Sequence, residues 1–77
     1  MFKVYVVYSK SGYIGTSLIA AKDADSANEM IVAFKEQDRR NLMDSLGYEF
    51  VDESDCVEDV FATHDGFLFH GINYSPR

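Results

Sequence analysis

Phe2-Lys3-Val4-Tyr5-Val6-Val7-Tyr8-Ser9 is the stretch on which the reading of the fold turns. It is dense in β-branched and aromatic side chains and contains neither Gly nor Pro, as a strand on a pleated surface requires. Alternation puts Phe2, Val4, Val6 and Tyr8 on a wholly apolar face, and Lys3, Tyr5, Val7 and Ser9 on a mixed one. A strand able to bury both faces has neighbours on both edges, so this one is predicted to be the central strand of a small sheet.

Downstream, Lys10-Ser11-Gly12 reads as a turn, because Gly12 tolerates the positive φ of a tight reversal. Tyr13–Ala21 then reads as the return strand of a hairpin, with Gly15 marking a bulge. Asp25 or Ser26 supplies a helix cap, and Glu29 stands three residues after Ser26 as in a capping box. Ala27, Met30, Ile31 and Phe34 form one apolar stripe, which predicts a helix over 25–37. The stripe is interrupted at Gln37, Asp38 and Arg39. It resumes at Leu42, Met43 and Leu46 and ends at Gly47, so either one bent helix or two short ones occupy this stretch.

Tyr48–Val51 reads as an extended connector. Asp52, Glu53 and Asp55 suit the positive end of a helix, and Cys56, Val57, Val60 and Phe61 share a helical face, predicting a short acidic helix over 53–62. A competing reading makes 60–63 a strand that turns at His64-Asp65-Gly66. Phe67–Tyr74 reads as the last strand, and Pro76 keeps the tail out of the ladder. The expected fold is α+β: a three-stranded antiparallel sheet of order 2-1-3, with its helices on one face. Tyr5, Val7, Phe67 and Phe69 would then form an uncovered aromatic face, a candidate contact surface unless the C-terminal region folds over it.

Bulk properties narrow the function. Seventy-seven residues make a single domain, 1–77, with a modest core. One cysteine, Cys56, excludes an internal disulfide and fits a reducing compartment. There is no basic-then-apolar leader and no apolar run long enough to span a bilayer, so a cytoplasmic protein without membrane contact is expected.

The net charge of −6 is unevenly placed: residues 1–40 carry six basic and five acidic groups. Residues 41–77 carry Asp44, Glu49, Asp52, Glu53, Asp55, Glu58, Asp59 and Asp65 against Arg77 alone. Such a surface attracts a basic partner and repels a phosphate backbone, which disfavours direct nucleic-acid binding.

Tyr8-Ser9-Lys10-Ser11-Gly12 after an apolar strand is similar to the phosphate loop of the flavodoxin family, a resemblance that implies flavin-phosphate binding. It ends at Tyr13-Ile14-Gly15-Thr16, which is β-like where that family has a helix, and no Gly-Lys-Ser/Thr completes a nucleotide loop. The acids of 52–59 lack the central Gly and distal Glu of a calcium loop, and helix capping with a solvated face explains them more simply. Cys56, His64 and His70 match no ligand spacing, and Cys56 falls on an apolar face, where a small buried thiol is inert. Lys35, Arg39 and Arg40 have Glu36, Asp38 and Asp44 within helical reach. No catalytic group, cofactor or metal is expected.

The expectation is a small acidic module that binds a basic protein partner through Asp44, Glu49, Asp52, Glu53, Asp55, Glu58 and Asp59. In size and charge it is similar to the inhibitors, such as anti-CRISPR and anti-restriction proteins, that phages and mobile elements direct against nucleic-acid-handling enzymes. The alternative is a homodimeric structural or regulatory module joined through Tyr5, Phe67 and Phe69.

Overall fold

The computed structural model describes residues 1–9, 16–38 and 47–69, with Gln37 and Asp38 described by their backbone alone. Its elements are β1 (Phe2–Val7), β2 (Ser17–Ala21), α1 (Ala24–Asp38), a 3₁₀ turn (Glu53–Asp55), β3 (Cys56–Ala62) and β4 (Gly66–Phe69). The fold is α+β. Among the described residues its sheet is antiparallel and four-stranded, in the order β3-β1-β2-β4.

The first strand does lie inside the sheet. It pairs with β2 from Lys3 opposite Ala21 to Val7 opposite Ser17, and with β3 through Phe2–Ala62, Lys3–Phe61 and Tyr5–Cys56. The predicted order 2-1-3 is corrected because β1's second neighbour is Cys56–Ala62, not the strand that begins near Phe67. Gly66–Phe69 pairs instead with β2, with Phe67 opposite Ile19 and Phe69 opposite Leu18. The Asp65-Gly66 turn therefore joins opposite edges and closes no hairpin. On a flat sheet those edges would stand about 14 Å apart, close to the full reach of the link from Ala62 to Gly66. The connection thus favours a curled over a flat sheet, and the register shifts in both outer pairings supply local bends that assist it.

The short acidic helix predicted over 53–62 is absent: three residues make a 3₁₀ turn, and Cys56 onwards is strand. Val57, Val60 and Phe61 satisfy a helical stripe on paper, yet their β-branched and aromatic side chains also suit a strand. Pairing with the open edge of β1 decides between them. The bulge at Gly15, the continuation of the helix through Leu42, Met43 and Leu46, and the strand beyond Phe69 all fall outside the described residues.

The predicted helix forms as α1 and begins slightly earlier. Its cap is Asp23, in place of Asp25 or Ser26: the Asp23 carboxylate accepts from the Ser26 amide at 2.8 Å, and its carbonyl from the Ala27 amide at 3.1 Å. Asp25 lies in the first turn, where its charge suits the helix dipole. Among the described residues no helix is long and apolar enough to cross a membrane.

Ala24, Ala27 and Ile31 from the helix meet Tyr5 and Val7 of β1 and Ile19 and Ala21 of β2, with Tyr48 and Val51 completing the core. The alanines let helix and sheet approach closely. The helix therefore covers the Lys3/Tyr5/Val7 face, the one expected to be uncovered. Tyr5 is 0 % exposed. The mixed face can be the core face because Lys3 keeps half its side chain in water and the Tyr5 hydroxyl has a carboxylate partner.

Candidate functional site

The acid-rich return from Tyr48 to Ala62 carries most of the candidate residues, and its first part is fastened inward. Tyr48 pairs across to Ser9, and the Glu49 amide donates to the Tyr8 carbonyl at 2.9 Å. The Tyr48 ring lies 5.6 Å from Phe34 and 5.5 Å from Phe67, between centroids, and its hydroxyl is 3.0 Å from the buried Ser17 Oγ. Phe34 and Phe67 complete the aromatic trio at 5.1 Å.

Asn28, on α1, then clamps the chain. Its side-chain nitrogen donates to the Val51 carbonyl at 2.9 Å, and its oxygen accepts from the Val51 amide at 2.8 Å. That two-point contact satisfies both backbone groups of a residue buried against the helix. Sequence reasoning missed it. The available signal was an Asn inside a helix, where Asn is locally disfavoured and is more readily retained by a tertiary partner.

Glu53 is the hub of the inward-turned part. One carboxylate oxygen accepts from the Tyr5 hydroxyl at 2.8 Å; the other accepts from the Ala24 amide at 2.9 Å, at the first residue of α1. The Ala24 and Tyr5 hydrogen bonds, in that order, hold the Glu53 carboxyl below the usual carboxylate range. Burial, followed by the bond and charge of Glu53, pushes the Tyr5 hydroxyl above its ordinary value, so it remains a donor at neutral pH. Lys3 reaches Glu53 at 3.8 Å, but both side chains are about half exposed (46 % and 58 %), and such a pair contributes little.

Asp52 and Asp55 serve the adjacent turn. Asp52 accepts from the amide and the hydroxyl of Ser54, and Asp55 accepts from the Asp52 amide, forming a reciprocal capping box. The Ser54 hydroxyl, and then the Ser54 amide, lower the Asp52 pKa below the ordinary aspartate value.

From Cys56 the chain turns outward. Cys56 packs partly against the core, but Glu58, Asp59, Val60 and Phe61 are all exposed, the last two at 44 % and 59 %. Between Cys56, opposite Tyr5, and Phe61, opposite Lys3, the four residues Val57–Val60 face Val4 alone. The result is a large bulge. Within it Asp59 adopts φ 63°, a left-handed conformation in which Asp is among the better-tolerated side chains.

The sequence-predicted acids therefore differ in what they bond to. Glu49, Glu58 and Asp59 are exposed and outward, as is Asp65 beyond them, whereas Asp52, Glu53 and Asp55 are engaged in capping. Asp44 lies outside the described residues. Of the three aromatic residues expected on an open face, Tyr5 is core, Phe67 is half-buried against Phe34 and Tyr48, and Phe69 is 57 % exposed. The aromatic face expected of Tyr5, Phe67 and Phe69 is corrected on that ground.

An open groove of about 410 Å³ lies beside the helix start, lined by Phe2, Lys22, Ser26, Glu29, Met30, Ala33 and Asp65. Among the described residues, no group of three His, Cys, Asp or Glu is placed to hold a metal ion. His64 is exposed in the link between β3 and β4, and His70 lies outside the described residues. The chain matches no family model, no curated protein and no solved structure.

Proposed function

We propose that this protein acts by binding another protein that presents a basic surface, with Glu49, Glu58, Asp59 and Asp65 as the attracting groups. The observation that carries this reading is the division of the acids. Asp52, Glu53 and Asp55 have structural partners, whereas Glu58 and Asp59 have no ion pair among the described residues and stand beside exposed Val60 and Phe61. Acids that cap need no outside partner to explain them. Acids on an exposed bulge, next to uncovered apolar side chains, combine charge steering with desolvatable contact area. A basic groove that normally receives nucleic acid is the partner surface this charge best complements, and the inhibitor-like role expected from size and charge follows from blocking it.

The test is capture from cell extract with the wild-type chain and with Glu49→Lys/Glu58→Lys/Asp59→Lys. The proteins held by the wild type are expected to be basic, to elute with salt, to be displaced by duplex DNA, and to be missing from the triple variant. Capture that is indifferent to both charge reversal and DNA would end this reading.

The homodimer alternative loses its central residue, because Tyr5 is in the core. No other observation favours it over a basic partner.

A further inference from the structure

Resting on the reading just given, the arrangement of β3 points to how the partner engages. β3 is the last strand of the sheet on its side, with no strand beyond it among the described residues. The edge open to a further strand is the one that faces away from β1, and Val57–Val60, which have no register partner in β1, bulge within it. An edge strand with no neighbour can template the addition of another strand.

Charge selects the occupant. A second copy pairing antiparallel along the same edge would bring its own Glu58 and Asp59 against these two, and like charges across a strand pair are destabilising. A lysine- or arginine-bearing strand meets the same acids favourably, and apolar residues alternating with its basic ones would have Val60 and Phe61 to cover. We propose that an extended basic segment of the partner adds to the sheet along β3, pairing its backbone with that edge and its cationic side chains with Glu58 and Asp59.

The experiment uses the full chain and a short synthetic peptide of alternating lysine and valine. Two control peptides accompany it: one with glutamate replacing lysine, and one N-methylated at alternate residues, which keeps the charge but cannot donate backbone hydrogen bonds along one edge. Amide chemical shifts and hydrogen exchange are followed during titration at about 0.15 M salt, where the Debye length is about 8 Å. Shift changes and slowed exchange should centre on 57–62. Both N-methylation of the peptide and the Glu58→Lys/Asp59→Lys change should weaken binding at least about tenfold.

Equal binding by the N-methylated peptide would overturn strand addition while leaving a basic partner standing. So would changes centred on β4, or the absence of any binding by the lysine peptide. Equal binding by the glutamate peptide would overturn strand addition and basic-partner selection together.

Discussion

Residues 48–55 and 56–62 are neighbours in the chain, both acidic, both interspersed with apolar side chains, and opposite in orientation. In the first, Tyr48 and Val51 are buried, Asn28 holds the backbone, and Asp52, Glu53 and Asp55 complete hydrogen bonds. In the second, no residue is buried, and the segment is held by backbone pairing to β1 interrupted by a bulge. The difference shows that acidic residues close in sequence need not share one role. The amides left without intrahelical partners at the helix start and at the 3₁₀ turn draw in the nearer carboxylates, and those beyond reach are left to water or to a partner.

The widest contrast expected is between the aromatic side chains of the two segments. Tyr48→Ala should cost about 3–5 kcal/mol, as buried aromatic truncations do. Phe61→Ala should change stability by no more than about 0.5 kcal/mol. Urea unfolding of both variants decides the matter, and similar midpoints would erase the distinction between the segments.

Removing the clamp comes next. Asn28→Ala leaves the Val51 amide and carbonyl without their partners and should cost about 1–3 kcal/mol. Hydrogen exchange at Val51 should accelerate with it. A variant with native midpoint and native exchange would mean that the first segment is held by packing alone.

A smaller effect is expected in the bulge, where conformation matters more than contacts. Asp59→Val places a β-branched residue at a left-handed φ and should cost about 1–2 kcal/mol, whereas Asp59→Gly should not destabilise. If both variants unfold together, the bulge is not a fixed feature of the native state.

The last prediction concerns acid. Asp23, Asp52 and Glu53 all have carboxyls held below their ordinary values by hydrogen bonds. Their contribution is therefore fully present above the unfolded-state values, near pH 4, and is lost as the pH falls through the lower folded-state values. The melting temperature should decline below about pH 4. Glu53→Gln should lower it at neutral pH and flatten that decline, which Asp23 and Asp52 continue to support. An unchanged acid limb in Glu53→Gln would remove Glu53 from its place as hub.

Much of the framework was legible. Phe2–Val7 has only strand-forming chemistry and two faces fit for burial, so an interior strand followed directly. Ala27, Met30, Ile31 and Phe34 repeat at helical spacing, and the helix is there. The face of β1 that meets the helix was not legible, because both faces carry enough apolar area to be buried. The choice depends on whether the Tyr5 hydroxyl has a partner, and that partner is separated from it by 48 positions in the chain. The division of the acids was illegible for a similar reason: Glu53 caps a helix that begins 29 positions earlier.

The sequence by itself determined the local preferences and the electrostatic character of this protein: the first strand, the helix, the excess of acid after Arg40, and the lack of cysteines for a disulfide. These follow from side-chain shape, hydrogen-bonding capacity and charge, which each residue carries with it. Tertiary structure decided which face of β1 meets the helix, that 56–62 is strand, that β3 and β4 take opposite edges, and which acids are engaged in capping. Each of those outcomes depends on distant groups meeting: a carboxylate with a tyrosine and a helix end, an amide side chain with a backbone, an open edge with a segment whose pattern permits either helix or strand.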